Sequence, residues 1–180
     1  MTKPEIIEKL KDGNKRYLAA ETNGGDISPA KRNDTAKNGQ RPYAVVVACS
    51  DSRVVPEDIF LTGIGELFVI RVAGNVITDT QLGSIEYACD HLKCPVVIVL
   101  GHTGCGAVGA ALSGDGEKHV ISITDFIHRA IGNERDYDRA CCLNAIAGAN
   151  MVRNAFGNGD DPPEVLPAIY DIKTGEVRWL

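Results

Sequence analysis

Val96-Val97-Ile98-Val99-Leu100 is an unbroken apolar run that begins straight after Pro95 and leads into Gly101-His102. A strand that is apolar on both faces must be covered on both faces. That is the condition of a central strand in a parallel sheet flanked by helices. Val45-Val46-Val47-Ala48 repeats the pattern upstream and leads into Cys49-Ser50-Asp51-Ser52-Arg53. Adjacent parallel strands bring their C-terminal loops together at one end of the sheet, where open α/β domains keep their sites. Cys49, His102 and Cys105 would then converge. Two thiolates and one imidazole form the ligand set of a catalytic zinc site that leaves a fourth position open. The 53-residue gap between Cys49 and His102 suits a site assembled from several loops, whereas two local ligand pairs would suit a zinc finger.

Around these two runs the pattern alternates strand and helix. Thr2-Lys3-Pro4-Glu5 opens a helix to about Ala20, with Thr2 as N-cap and Glu5 at the capping-box position. Its stripe of Ile6, Leu10, Tyr17 and Leu18 is incomplete, which leaves open whether it packs on its own domain or on a second subunit. Residues 21–42 read as a polar surface loop with at most one helical turn near Pro29. Strands are expected at 43–48, 67–72, 96–100 and 165–170, with a last edge strand at 177–180. Helices are expected after Pro56, from Thr78 (a second capping box, with Gln81) to Leu92, and over 104–112, 121–131 and 139–156. The outcome is a single α/β domain over 1–180, a mostly parallel central sheet flanked by helices. A helical arm and loop at 1–42 precede an α/β core at 43–180.

The net charge of −5, with no basic cluster, argues against nucleic acid and anionic lipid as partners. No apolar run reaches transmembrane length, and the N-terminus lacks a signal-peptide core, so the protein is read as cytoplasmic. In that compartment the six cysteines need no disulfides. Cys89, Cys94, Cys141 and Cys142 are read as reduced, mostly buried thiols.

Two features near the ligands carry competing readings. Asp51 would ligate the metal, accept a hydrogen bond from a metal-bound water, or pair with Arg53; the last two are compatible. Gly104-Cys105-Gly106-Ala107-Val108-Gly109 is a literal G-x-G-x-x-G between a strand and a helix, the dinucleotide fingerprint. That reading expects an acidic residue at the end of the next strand, and the region near Asp125 reads as helix. His91 sits near a helix end, and His119 and His128 are assigned to the surface.

The ordered motifs Ala48-Cys49-Ser50-Asp51-Ser52-Arg53-Val54, Gly65-Glu66-Leu67-Phe68-Val69-Ile70-Arg71, Ala73-Gly74-Asn75, Ile85-Glu86-Tyr87-Ala88 and Gly101-His102-Thr103-Gly104-Cys105-Gly106 resemble those of the β-class carbonic anhydrases. The likeness is detailed from Pro4 to Leu112 and looser beyond. It implies reversible hydration of CO2 to bicarbonate and a proton, by attack of zinc-bound hydroxide on CO2 in an apolar pocket. It implies one Zn2+ per subunit on Cys49, His102 and Cys105, with Asp51 and Arg53 as the catalytic dyad. Gln40, at the plant-type spacing, would donate to bound CO2 or bicarbonate. Phe68, Ala73, Tyr87 and Gly106 would line the pocket, some of them across a subunit interface. The resemblance also implies a homodimer with the leading helix wrapped on its neighbour, or a homotetramer of paired dimers. Val72 replaces an Asn common in the family. Val46 stands where some members carry a Trp that accompanies an inhibitory bicarbonate site, so an open metal site without that regulation is expected. The alternatives are a hydrolase of a CO2 analogue such as carbon disulfide, and a non-catalytic zinc- or nucleotide-binding protein.

Overall fold

The computed structural model describes residues 1–115 and 118–180. Five strands, β1 (Ala44–Ala48), β2 (Leu67–Arg71), β3 (Val96–His102), β4 (Glu164–Tyr170) and β5 (Val177–Trp179), form one sheet in the order β2-β1-β3-β4-β5. The first four run parallel, and β5 turns back antiparallel along β4. Every residue of β1 and β3 is buried, as their apolar runs require. Val46, Ala48, Ile98 and Leu100 face one side of the sheet; Val45, Val47, Val97 and Val99 face the other. The alternation is the strand's period of two, with both faces covered.

The first face is covered by α1 (Lys3–Leu18), whose Ile6 and Leu10 are 1% and 0% exposed. Each contributes about 1.5–3 kcal/mol by leaving water. The capping box of Thr2 and Glu5 starts this helix as expected. Asn14 fastens its far end: the amide donates to Gly175 O at 2.9 Å and to Ile59 O at 3.4 Å, and its oxygen accepts from Val177 N at 2.9 Å. The leading helix therefore lies on its own sheet in this chain. Its apolar stripe is incomplete because Asn14 and Gly13 occupy buried positions that a hydrophobic count passes over.

The segment expected to be a long loop contains a ten-residue helix, α2 (Pro29–Asn38). No residue of α2 is buried, so it leaves no apolar periodicity to read. Its ends explain it: Ser28 Oγ accepts from Lys31 N at 3.1 Å, Pro29 sits in the first turn, and Gly39 stops it at φ 75°.

The short α3 (Pro56–Ile59) follows β1, and α4 (Asp79–Glu86) starts at the Thr78–Gln81 capping box. It continues as a π turn over Tyr87–His91 before Pro95 admits β3. Then α5 (Gly106–Ser113) and α6 (Ile121–Ile131) precede α7 (Tyr137–Phe156), which begins two residues earlier than its apolar spacing suggested because Asp136 caps it. The α7 face of Cys141, Ala145, Gly148 and Ala149 packs on β3. A side chain on Gly101 would come within 2.8 Å of Ile169 Cδ1 and 3.2 Å of Ala145 Cβ, so glycine there lets α7 close on the strand end.

Candidate metal centre

Ala48 pairs with Leu100, so the residues after β1 and β3 emerge side by side. Cys49, His102 and Cys105 offer ligand atoms that all lie within 4.8 Å of one another, and all three residues are buried. The two sulfurs are 4.0 Å apart. Sulfurs bound at about 2.3 Å to one tetrahedral ion would be about 3.8 Å apart. His102 Nδ1 lies 2.9 Å from Thr103 O. A carbonyl only accepts, so Nδ1 carries the proton and Nε2 keeps a bare lone pair. That Nε2 is buried and has no hydrogen-bond partner among the described residues. A buried acceptor without a partner costs about 1–3 kcal/mol, which a cation between it and the two sulfurs would offset. The donor set therefore fits a thiophilic divalent ion such as zinc.

Backbone groups hold the cysteines. Gly74 N–H donates to Cys49 Sγ at 3.2 Å. Gly74 adopts φ 67°, and a Cβ there would meet Ile127 Cδ1 at 2.7 Å and Ala107 Cβ at 3.0 Å. Both facts call for glycine. Arg71 at the end of β2 donates from Nε to Cys49 O at 3.1 Å and from a terminal nitrogen to Asp51 O at 2.6 Å, gripping the whole loop. Hydrogen bonding from the Cys105 thiol, with help from His102 and from Gly74 N–H, holds the Cys49 thiol below its ordinary range despite burial. The hydrogen bond to Cys49, together with burial, pushes the Cys105 thiol up.

Asp51 points its Oδ2 to within 3.9 Å of His102 Nε2. Arg53 clasps the carboxylate through Nε to Oδ1 at 2.9 Å and a terminal nitrogen to Oδ2 at 2.7 Å, and its backbone N–H also reaches Oδ1 at 2.9 Å. This two-pronged bond holds the Asp51 carboxyl well below the usual carboxylate range. Of the three uses the sequence allowed for Asp51, the structure shows the pairing with Arg53. Among the described residues the Cys-His-Cys group has three members and does not include Asp51.

The remaining candidate residues divide. Ala73 begins the 3-10 turn (Ala73–Asn75) against Cys49, and Gly106 follows Cys105 as the first residue of α5, so both border the centre. Gln40, Phe68 and Tyr87 do not. Phe68 pairs with Val45, four residues short of Cys49, about 13 Å back along the sheet. Its ring stacks on Tyr87 with centroids 6.2 Å apart, and Tyr87 is 48% exposed. Gln40 precedes β1 altogether and is exposed. Within one chain Phe68 and Tyr87 form a ring pair towards the opposite end of the strands.

The glycine fingerprint resolves differently. Gly104 turns the chain at φ 64°, and Gly109 makes room: a Cβ there would sit 3.0 Å from the Tyr137 hydroxyl. The acidic residue after the next strand, Asp171, is used in a turn, accepting from Lys173 N at 2.8 Å and Thr174 N at 3.0 Å. Burial pushes the Cys141 thiol up to about 11, which keeps it protonated beside the pair. Sequence reasoning missed Tyr137 and Asn144, which reach the two ligand loops from α7; the signal for them was their spacing of seven along a helix with an acidic N-cap.

The profile of the carbonic anhydrase family matches residues 44–177. This chain belongs to the β-carbonic anhydrase family. The carbonic anhydrase of Mycolicibacterium smegmatis is 46% identical over 125 residues, covering 67% of this chain and 59% of that protein. The chain spans about half to three-fifths of the length of such mycobacterial relatives. The carbonic anhydrase of Pseudomonas aeruginosa is 34% identical over 164 residues, covering 78% of this chain and 74% of the relative. Among solved structures, a tetrameric β-carbonic anhydrase of Sordaria macrospora superposes with a TM-score of 0.67 at 26% identity, over 84% of this chain and 91% of its own. A carbon disulfide hydrolase shares the fold at a TM-score of 0.59 and 16% identity, over 83% of this chain and 86% of its own. No described helix is long and apolar enough to cross a membrane.

Proposed function

We propose that this β-carbonic anhydrase homologue catalyses the reversible hydration of CO2 to bicarbonate and a proton. One observation carries the reading: the bare, buried Nε2 of His102 faces two cysteine sulfurs and has the Arg53-bound carboxylate of Asp51 at its side. Zn2+ held by Cys49, His102 and Cys105 would supply water activated for attack near neutral pH. Asp51 Oδ2 accepts a hydrogen bond from the attacking water and aims its lone pair at the CO2 carbon. Arg53 keeps Asp51 anionic and fixed, so no reorganisation is needed as charge moves from water to the carbonate oxygens. Ala73 and Gly106 offer no bulk and little polarity where CO2 must sit.

Phe68 and Tyr87 lie remote from the metal centre of their own chain. In a homodimer, or a tetramer like the Sordaria protein, they and Gln40 would complete the pocket of a neighbouring subunit. The six free cysteines suit a reducing, cytoplasmic setting. The shared fold of the carbon disulfide hydrolase makes that substrate the alternative to test.

The test is stopped-flow CO2 hydration by zinc-loaded protein above neutral pH, with carbon disulfide assayed in parallel. A rate well above buffer that vanishes in Cys105→Ala is the expected result. Zinc-bound, folded protein without CO2 hydration would refute the proposal, and turnover of carbon disulfide alone would transfer it to the alternative.

A further inference from the structure

Asp136 Oδ1 accepts from Arg139 N at 2.8 Å and so starts α7 at Tyr137. Residues seven apart share one helix face. From that face Tyr137 Oη donates to Cys105 O at 2.7 Å. Two turns on, Asn144 Nδ2 donates to Gly74 O at 2.8 Å. Gly74 in turn donates its N–H to Cys49 Sγ. One face of α7 thus has a polar handle on each cysteine of the metal centre. We propose that Tyr137 and Asn144 are positioning residues that set the two sulfurs before the ion arrives. The proposal rests on reading Cys49, His102 and Cys105 as the metal site.

The surroundings are shaped for these two bonds. Asn144 is 5% exposed, an amide buried beside Val76, Phe126 and a second buried amide, Asn75. Burying it costs free energy unless its groups are paired, so its bond to Gly74 is a specific one. Gly74 sits in the left-handed region. Its N–H, in the peptide before it, bonds the Cys49 sulfur, and its carbonyl, in the peptide after it, bonds Asn144, so the two bonds together hold both peptides that meet at its Cα. At the other cysteine, Gly109 N also donates to Cys105 O, at 3.0 Å, so the Tyr137 bond fills the carbonyl's second lone pair. Gly109 carries no side chain to block the hydroxyl, which gives the third glycine of the fingerprint a purpose. The two sulfurs lie 4.0 Å apart, and α7 provides an anchor outside the ligand loops for the backbone at each.

The experiment is a titration of metal-free protein with Co2+ against a chromophoric chelator, following the thiolate-to-cobalt absorption band and thermal unfolding together. The variants are Tyr137→Phe, which removes only a hydroxyl; Asn144→Asp, which keeps the shape but loses the donor; and Asn154→Asp, the same charge change at an exposed position of α7. Tyr137→Phe and Asn144→Asp should each bind Co2+ about 10- to 100-fold more weakly and shift the band. Asn154→Asp should match wild type. Should Asn144→Asp fail to fold, Tyr137→Phe decides, since that ring is 39% exposed. Wild-type affinity and an unmoved band in Tyr137→Phe, even with a lower melting temperature, would overturn the proposal. A wild-type protein that shows no thiolate-to-cobalt band would overturn the metal-site reading, and this proposal with it.

Discussion

Gly74→Ala isolates how much the metal centre depends on one backbone conformation. Gly74 has φ 67° and ψ 17°, a conformation that costs an L-residue about 1–2 kcal/mol. Its new Cβ would also press Ile127 Cδ1 at 2.7 Å and Ala107 Cβ at 3.0 Å. Overpacking of that kind costs about 1–3 kcal/mol. The sum is about 2–5 kcal/mol, a large share of the roughly 5–15 kcal/mol that holds a typical domain together. Gly114→Ala is the matched control. Gly114 has φ 76° and ψ 12°, nearly the same conformation, and among the described residues nothing lies within 4 Å of its Cβ position. It should bear the conformational cost alone. Urea unfolding of both variants and wild type, at one protein concentration and fully loaded with zinc, reads the difference. With a slope of about 2–3 kcal/mol/M, Gly74→Ala should lower the midpoint by about 1–2 M and Gly114→Ala by about 0.5 M. Only Gly74→Ala should also weaken zinc binding, because its N–H donates to Cys49. Equal midpoints for the two variants, with equal zinc affinity, would show that the contacts at Gly74 do not matter and that the reasoning is wrong.

Cys105→Ala should bind zinc in less than stoichiometric amount after dialysis, measured by atomic absorption, because one of three ligands is gone. Arg53→Ala should keep its zinc but lose kcat/KM for CO2 hydration. In wild type the Asp51 carboxyl titrates below its ordinary value, so its stabilising charge is complete above about pH 4 and fades as the pH falls through the lowered folded value. Removing Arg53 should move that titration up towards about pH 4, read by carbon NMR of the Asp51 carboxyl; an unmoved titration would show that Arg53 is not its cause. Asn14→Ala should cost about 1–3 kcal/mol in urea unfolding, because Val177 N and the carbonyls of Gly175 and Ile59 lose a buried partner.

The sheet was legible because β1 and β3 are apolar on both faces, a pattern with one common explanation. Their shared direction then placed Cys49 beside His102 without any coordinates. The capping boxes at Thr2 and Thr78 were readable for the same local reason: the side chain and its target lie three residues apart. α2 was not, because a helix that buries nothing has no stripe, and only Ser28, Pro29 and Gly39 mark its ends. The stripe of α1 is ambiguous because Asn14, a buried polar residue, fills a place that a leucine would advertise. The grip of α7 was hidden for a different reason. Tyr137 and Asn144 act on Cys105 and Gly74, 32 and 70 residues away, and no local pattern encodes a contact at that distance. The G-x-G-x-x-G, already doubtful as a nucleotide motif for want of the acidic residue, could not be given its real purpose for a related reason. The same spacing arises when one glycine makes a turn and another makes room for a tyrosine.

The placement of those two anchors also orders events in time. A chain made from its N-terminus at about 5–20 residues per second presents Cys49 roughly 5–20 s before Asn144 exists. Throughout that interval the first ligand has neither its partner sulfur in register nor the amide that orients Gly74. A nascent chain would therefore carry loose thiols until its last long helix docks. On this proposal the centre is completed late, by the part of the chain that contains none of its ligands.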